Sequence, residues 1–350
     1  MVASASSAPA VARRVLLVDG TNLTARAFHG FRRPPLPQLG PLVLGMLKDA
    51  AMALEATHLI VATDAAGPTF RHDLTPTYKA KRSADPEGVT TQHMLRAVRP
   101  ALAAAGVAMV ECPGFEADDC LATLATRLLA HGTPIVLSGD KDLQALVASG
   151  VAVYGFSGMP GARGLDRYLA VTPATVLARY GVTAAQLPDW KALAGESGDN
   201  IAGVPGLGPK RAQEIIALHG SLDAALAAAP MAAAGTVTAR LAGQAEAAAL
   251  GRVLATLRLD APVPPLAPAA CRVALIGWQS TAVADVVATL TAESHAVAIP
   301  VASVAMPVAS VAVPPPSVAD AQPSLFGDEG PWVDAPAAVA GSRRRRLSRG

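Results

Sequence analysis

The sequence is poor in aromatic residues and cysteine and has almost no net charge. Phe, Trp and Tyr make up 4% of its 350 residues, so mainly Ala and Val must form the core. A formal net charge of +2 does not by itself require a nucleic-acid partner, although an acidic centre with a basic rim would also be near neutral. The three cysteines, Cys112, Cys120 and Cys271, lack metal-ligand spacing and are odd in number. They are expected to be free thiols in a reducing cytoplasm.

Long unbroken hydrophobic segments are also missing. Residues 1–12 are small and polar and lack the charged-then-apolar order of a signal peptide. Residues 296–319 carry no charge, but Pro300, Pro307 and the prolines at 314–316 interrupt them, and Ala and Ser dilute their hydrophobicity. We therefore expect no membrane span and a cytoplasmic location.

The chain divides into a regular region and a biased tail. From about Val11 to Ala261, strand-like and helix-like segments alternate, which predicts a layered α/β domain. From Pro262 onward Pro, Ala and Val dominate, and Pro-Val-Ala-Ser-Val-Ala occurs twice, at Pro300 and Pro307. This composition predicts a low-complexity, largely disordered tail.

Four hydrophobic runs, at residues 15–18, 59–63, 107–110 and 135–138, end in acidic residues or lead into them. These acids are Asp19, Asp64, the group Glu116, Asp118 and Asp119, and the pair Asp140 and Asp142. In open α/β sheets, ligands bind at the carboxyl edge of the parallel strands. Carboxylates gathered there would repel one another unless a cation lay between them, and oxygen ligands favour Mg²⁺ or Mn²⁺. We therefore predict a metal-dependent phosphoryl-transfer site.

Each acidic group alone also has a simpler interpretation. Acids in the first turn of a helix complement the helix dipole, which would explain the groups at 116–119 and 140–142. Asp19 and Asp64 would be ordinary caps at strand ends. All four groups are nevertheless predicted at the same sheet edge, which favours a shared function.

A basic segment lies between Phe70 and Pro100. Its cations are Arg71, Lys79, Lys81, Arg82, Arg96 and Arg99. One interpretation is a solvated loop and helix face, the usual outcome for a charged run. The other is a mobile basic segment that faces the acidic edge and clamps a DNA phosphate chain.

A glycine-rich turn follows further along the chain. Residues 195–200 read Gly-Glu-Ser-Gly-Asp-Asn and add Glu196 and Asp199 to the acids. Residues 206–212 read Gly-Leu-Gly-Pro-Lys-Arg-Ala and open a predicted helix. Backbone N–H groups at such a helix start can bind a phosphate.

These motifs together resemble the 5′-nuclease (flap endonuclease) family, and most closely the 5′–3′ exonuclease domain of bacterial DNA polymerase I. The matching segments are residues 18–22, 70–72, 78–82, 114–119, 138–142, 195–200 and 206–212. They occur in the family order over roughly residues 12–265. No polymerase segment follows, so the chain resembles a stand-alone form.

The resemblance implies a mostly parallel α/β sheet flanked by helices, a PIN-like fold with a helical arch and a helix–three-turn–helix element. We accordingly expect a disordered N-terminus at 1–11 and a catalytic domain at 12–180, with the arch at about 71–100. A DNA-binding region is expected at 181–265 and the tail at 266–350.

The resemblance also implies a set of metal ligands. Asp19, Asp64, Glu116 and Asp118 would surround one ion, with Asp119 as a nearby helper. Asp140, Asp142, Asp199 and Glu196 would hold a second ion. Glu196 departs from the family, which usually has Asp there; it keeps the charge but puts the affinity of the second site in question. We expect two Mg²⁺ ions about 4 Å apart, replaceable by Mn²⁺, and water as the nucleophile.

The resemblance gives roles to other polar residues. Lys79 and Arg82 would stabilise charge on the scissile phosphate at the base of the arch, and Arg71 would face the same phosphate. Tyr78 would either stack on a terminal base or be a packed surface aromatic. The duplex grip would comprise Gly206, Gly208, Lys210 and Arg211, with K⁺ as a candidate ion there. The expected substrates are DNA 5′ ends or flaps and RNA primers, cut by a monomer.

The tail carries a short motif. Gln322-Pro323-Ser324-Leu325-Phe326 resembles the bacterial sliding-clamp-binding pentapeptide, in which Gln322, Leu325 and Phe326 would contact the clamp.

Three rival functions remain open at this stage. The first is a DNA-structure-binding protein of the same fold that has weak or no catalytic activity. The second is a PIN-like RNA nuclease, although that class lacks the element at residues 206–212. The third is an unrelated Mg²⁺ phosphatase, for which the basic segment and the glycine-rich grip would have no purpose.

Overall fold

The sheet forms from the hydrophobic runs seen in the sequence. A computed structural model of the protein describes residues 13–80, 88–159 and 162–276. Its strands are Arg14–Asp19 (β1), His58–Ala62 (β2), Ala108–Val110 (β3), Thr133–Leu137 (β4), Ala152–Phe156 (β5) and Tyr168–Val171 (β6). The central strand is β1, in which Leu16 lies opposite Leu59 on one side and Ile135 on the other.

The strand order creates a crevice at the carboxyl edge. The order is β3-β2-β1-β4-β5-β6, with β1 to β5 parallel and β6 antiparallel to β5. The chain runs outward from β1 to β3 and then returns to the other side of β1 as β4. Such a change of direction is where open α/β sheets bind ligands. The predicted mostly parallel α/β sheet is confirmed.

Helices cover both faces of the sheet. They are Gly20–Gly30 (α1), Leu36–Ala53 (α2), Phe70–Leu74 (α3), Thr91–Ala104 (α4), Ala117–Leu128 (α5), Pro173–Tyr180 (α6), Leu187–Ala194 (α7), Pro209–His219 (α8), Leu222–Ala228 (α9) and Ala245–Ala255 (α10). Short 3₁₀ helices lie at Asp142–Ser149, Gly164–Arg167, Ala184–Gln186, Ala229–Met231, Thr238–Leu241, Pro268–Cys271 and Val273–Leu275. Within the described ranges, no helix is long and apolar enough to span a bilayer.

Two hydrophobic layers fill the space between the sheet and the helices. On one face, α1, α2 and α4 bury residues such as Leu23, Leu47 and Val98. On the other face, one cluster runs from the strands through α5 into the helices that follow residue 181. Leu121 of α5 and Ile215 of α8 belong to this same cluster. The second half of the chain therefore shares its core with the sheet.

The region predicted as an arch is partly a packed helix. Helix α4 buries Met94, Leu95 and Val98 and lies against α2, so residues 91–104 are not a mobile basic segment. Gly40 allows the two helices to approach closely, because a Cβ atom there would lie 2.6 Å from the Cβ of Ala101.

Two helices joined by a tightly turned loop follow the sheet. Helix α7 ends at Ala194 and α8 begins after Gly208, and Gly195, Gly203 and Gly206 have positive φ angles. Gly203 is required by space as well, since a Cβ atom there would lie 2.5 Å from the backbone nitrogen of Gly195. Buried residues continue to Ile276, beyond the boundary at 265 that the sequence suggested.

Candidate metal centre

Four aspartates from separate segments line one cavity at the carboxyl edge of the sheet. Asp19 ends β1, Asp64 follows β2, Asp118 lies in the first turn of α5 and Asp140 follows β4. The cavity has a volume of about 130 Å³, and Lys79 also lines it. The sequence-based expectation that these strand ends meet is therefore met for these four residues.

Asp19 is held in place by neutral donors. Its Oδ1 accepts a hydrogen bond from the backbone N–H of Asn22 (2.8 Å), and its Oδ2 accepts one from the hydroxyl of Ser138 (2.6 Å). Burial, together with the charges of Asp64 and Asp140, raises the pKa of the Asp19 carboxyl to about 7. This carboxylate is therefore costly to ionise without a nearby cation.

Asp64 and Asp118 are joined through the start of α5. The Oδ1 of Asp64 accepts the N–H of Ala117 at 2.8 Å, and its own N–H donates to the hydroxyl of Thr21 at 2.9 Å. Burial and the charges of Asp140 and Asp19 raise the pKa of Asp118 well above its ordinary value. Carboxylates that repel one another in this way favour a divalent cation between them.

A second group of acids begins at Asp140. Its Oδ1 accepts the N–H of Asp142 at 2.9 Å, and burial followed by the charge of Asp142 raises its pKa. Asp142 forms an ion pair with the buried Lys191. Burial opposes ionisation of Asp142, but the ammonium group outweighs it and lowers the pKa of this carboxyl. The Nζ atom of Lys191 also lies 3.6 Å from Oε2 of Glu196.

Asp199 connects this group to the segment around Lys79. Its side chain is buried, and its carbonyl accepts the N–H of Lys79 at 2.9 Å. Beside it, the side-chain amide of Asn200 donates to the carbonyl of Thr77 at 2.7 Å. These bonds fix the base of the predicted arch against the second acidic group.

Glu116 is engaged by three side chains of the same segment. Its Oε1 accepts the ammonium group of Lys79 at 2.6 Å. Its Oε2 accepts the hydroxyl of Tyr78 at 3.1 Å and the guanidinium of Arg71 at 3.2 Å. Lys79 therefore lies between the cavity and Glu116.

Tyr78 does not fit its predicted role in base stacking. Its side chain is 3% exposed and belongs to a cluster with Ile201, Leu254 and Ala255. The ring of His72 packs edge-on against it. The ammonium of Lys79 lies over the ring, 5.1 Å from its centroid. The residue is a packed aromatic, because its ring is buried among these neighbours and is not open to a base.

Arg71 and Asp119 also differ from their predicted roles. Arg71 is 2% exposed and binds both carboxylate oxygens of Asp119, at 2.7 and 2.9 Å. It also donates to the carbonyls of Leu254 (2.9 Å) and Thr256 (3.1 Å). Asp119 has no exposed surface. The pair joins α3, α5 and the end of α10, so Arg71 does not face a phosphate in the cavity and Asp119 is an internal ion-pair partner.

The donor chemistry of the two acidic groups fits a hard divalent ion, because all the ligands are carboxylates. Across residues 13–80, 88–159 and 162–276, however, no three Asp, Glu, His or Cys side chains are arranged to hold an ion as they stand. Lys79 and Lys191 pair with Glu116 and Asp142 instead. Ion binding would thus require these acids to change partners.

The residues predicted to grip DNA lie at the start of α8. Gly206, Gly208, Lys210 and Arg211 are exposed. Gly208 precedes the helix without a side-chain cap bond, and Arg211 donates to the carbonyl of Gly206 at 2.8 Å. The start of α8 therefore lies at the surface, with the cations Lys210 and Arg211 beside it. Arg82 and the tail motif with Gln322, Leu325 and Phe326 lie outside the described residues.

Two consecutive family models match the chain. Residues 14–181 match the 5′-3′ exonuclease N-terminal resolvase-like domain, and residues 182–274 match the 5′-3′ exonuclease C-terminal SAM fold. The chain belongs to the 5′–3′ exonuclease family. This family comprises 5′–3′ exonucleases and structure-specific flap endonucleases.

The curated relatives of this chain include DNA polymerase I proteins. The enzyme from Mycobacterium tuberculosis H37Rv is 35% identical over 232 residues, which are 63% of this chain and 24% of the relative. The thermostable enzyme from Thermus aquaticus is 37% identical over 218 residues, 61% of this chain and 25% of the relative. The chain thus spans about a quarter of the length of these relatives.

Solved structures of a bacteriophage T5 protein share the fold of this chain. The T5 5′-exonuclease with bound divalent metal ions (zinc) superposes with a TM-score of 0.60 at 22% identity, covering 80% of this chain and 99% of that one. A T5 flap endonuclease variant in a pseudo-enzyme–product complex with DNA and metal ions gives 0.59 at 21% identity. It covers 81% of this chain and 100% of that one.

Sequence reasoning missed one buried cation, Lys191. The residue lies within an apolar helical segment, Leu187–Ala194, where a lysine reads as a solvent-facing position. Its neighbour on the chain, Trp190, is buried, and so is Ala192. The signal available in the sequence was a lysine between the apolar residues Trp190 and Ala192, shortly before the turn with Glu196.

Proposed function

We propose that this chain is a divalent-metal-dependent 5′–3′ exonuclease and 5′-flap endonuclease that hydrolyses DNA phosphodiesters in replication or repair. The observation that carries the proposal is the cavity lined by Asp19, Asp64, Asp118 and Asp140. Family membership supports the reaction class, and the T5 relative binds both DNA and metal ions.

Two groups of carboxylates are the proposed ligands. Asp19, Asp64, Glu116 and Asp118 would hold one ion. The second would be held by Asp140, Asp142, Glu196 and Asp199. Two Mg²⁺ ions, or Mn²⁺ in their place, would supply the charge that activates a water molecule and stabilises the leaving oxygen.

Lys79 is the cation proposed to contact the scissile phosphate. Its side chain is 16% exposed, lines the cavity and points its ammonium group to Glu116. A substrate phosphate entering the cavity would pair with the Lys79 ammonium in place of Glu116. The Glu116 carboxylate would then be available to an ion. Arg82 is proposed to join it from the adjacent segment.

The start of α8 is the proposed duplex grip. The N–H groups of its first turn are free of a side-chain cap, and Lys210 and Arg211 add positive charge beside them. Gly206 and Gly208 would let the DNA backbone approach closely. Carbonyls of the same turns are candidates for K⁺. Such contacts release counterions, so DNA binding should weaken steeply with salt.

Further parts of the proposal rest on sequence. We include RNA primers among the substrates and propose that the Gln322–Phe326 motif binds a sliding clamp. We further propose that the protein acts as a monomer in the cytoplasm. A clamp pull-down with Leu325 and Phe326 both changed to Ala tests the motif. Retained capture would contradict it.

The central test is cleavage of 5′-labelled blunt, nicked and flapped duplexes with and without Mg²⁺. We expect Mg²⁺-dependent products from the wild-type chain and no cleavage by Asp118→Ala, with flap binding retained in Ca²⁺. The alternative, a DNA-structure-binding protein without activity, predicts flap binding and no products from either chain. Cleavage by Asp118→Ala at the wild-type rate would contradict the assignment.

A further inference from the structure

Lys191 lies among the acids of the second proposed ion site. It is carried by α7 and is 4% exposed. Its Nζ atom pairs with Oδ1 of Asp142 and lies 3.6 Å from Oε2 of Glu196. A buried ammonium is stable only when it is paired. The lysine and the two carboxylates therefore stabilise one another in this arrangement.

The backbone of Glu196 is fixed, so its side chain alone can exchange partners. Its N–H donates to the carbonyl of Ile201 at 3.0 Å, and the N–H of Ile201 donates back to the carbonyl of Glu196 at 3.0 Å. The ammonium of Lys141 approaches the same Oε2 from outside, also at 3.6 Å. The longer side chain of glutamate at this position thus reaches two lysines.

The first group of acids is arranged differently. Glu116 in this group also pairs with an ammonium, but that of Lys79 is on a side chain 16% exposed, whereas the Lys191 side chain is 4% exposed. Asp19 accepts its hydrogen bonds from a backbone N–H and a hydroxyl, and Asp64 accepts one from the N–H of Ala117. Neutral donors orient these carboxylates without cancelling their charge. An arriving divalent ion would meet no ammonium on these oxygens, whereas at Asp142 and Glu196 it would have to replace Lys191.

We propose that Lys191 is a built-in counter-cation of the second site. It stabilises the metal-free protein and competes with the second divalent ion, so that the two ions bind with unequal affinity. The inference rests on the proposed function, because it concerns the same ion sites. Lys191 acts through Asp142 and Glu196 and is a positioning residue.

Calorimetric titration of the full chain with Mn²⁺ tests this without any substrate. The wild type should show one tight site and a second that is about tenfold or more weaker. Lys191→Met should tighten the weaker site by about tenfold and leave the tight site unchanged. It should also lower the melting temperature of the metal-free protein. Lys191→Arg keeps the charge and should keep the wild-type pattern, as should the matched control Lys48→Met on the exposed side of α2.

Nuclear magnetic resonance of the lysine side-chain ammonium groups gives a second readout on the wild type, should Lys191→Met not fold. The Lys191 signal should stay constant during the first binding event and change in the second. A signal that is constant throughout, or a Lys191→Met titration identical to wild type, would overturn the inference and leave the proposed function standing. No Mn²⁺ binding by the wild type would overturn both.

Discussion

The backbone N–H of Lys79 donates to the carbonyl of Asp199 over 2.9 Å, and this bond joins the two acidic groups. Lys79 has a φ angle of 52°, a left-handed conformation that is unusual for a lysine. Its side chain turns to Glu116 in the first group, while its backbone is fixed to the second. The loop that carries Asp199 therefore positions Lys79, whose ammonium is the cation that lines the cavity.

Removing the Lys79 ammonium should affect the chemical step. We expect Lys79→Ala to lower single-turnover cleavage by about 10²–10³-fold, the usual cost of losing one donor at a developing charge. Substrate affinity in Ca²⁺ should change much less. Lys48→Ala, an exposed lysine on α2, is the control and should cleave like wild type. Equal rates for both variants would contradict the role of Lys79.

Asn200 tests the connection between the loop and the arch base. Its amide donates to Thr77, and its φ angle is 59°. Asn200→Ala should lower the free energy of unfolding by about 1–2 kcal/mol. It removes the hydrogen bond to Thr77 and leaves alanine in a left-handed backbone conformation, which is unfavourable for alanine. Asn200→Gly relieves the backbone and should cost less. Urea denaturation measures both, and slower cleavage by both would tie the bond to catalysis.

The Arg71–Asp119 pair should matter for stability first. Arg71→Met leaves the Asp119 charge buried and should cost about 3–5 kcal/mol of unfolding free energy. The double variant Arg71→Met with Asp119→Leu removes both charges and should recover part of this loss. Arg96→Met, at an exposed position of α4, serves as the control in denaturant titrations. A double variant less stable than Arg71→Met would contradict the ion-pair argument.

Asp118 should destabilise the protein when no metal is present. Its raised pKa reflects burial and repulsion by Asp140 and Asp19, which Asp118→Asn would relieve. We expect a higher melting temperature for this variant in EDTA and a smaller increase on adding Mg²⁺. Asp73→Asn, at an exposed site, should behave like wild type. Thermal scans with and without Mg²⁺ distinguish these outcomes.

Asp189 gives a pH dependence that is separate from the proposed ion sites. Burial raises its pKa to about 6, against a weaker opposing effect of the N–H of Leu222. The folded protein therefore keeps this proton to higher pH than the unfolded chain, whose aspartates titrate near 4. The stabilisation from this proton is complete below about pH 4 and is lost by about pH 6. The free energy of unfolding should therefore fall by about 2–3 kcal/mol between these two pH values. The difference between wild type and Asp189→Asn should follow this curve, and a flat difference would contradict it.

The sheet and the positions of four acids were predictable, because hydrophobic runs and the residues that end them are local features. Asp19, Asp64, Asp118 and Asp140 were located by the hydrophobic runs that precede them. The orientation of Arg71 was not predictable, since its carbonyl partner Leu254 is 183 residues away along the chain. Lys191 was missed, and the two alternatives for Tyr78 stayed open, for the same reason: their burial depends on Asp142 and on α10, which are far from them in sequence.

The hydrophobic cluster that runs from the strands into α8 also limits how this protein can be recombined. A chimera that took its first 181 residues from this chain and the rest from a distant relative would have to match side-chain volumes on both sides of the junction. Leu121 and Ile215 belong to opposite sides of that junction, and neither has exposed surface. A change of side-chain volume on one side of this junction therefore requires a compatible change on the other.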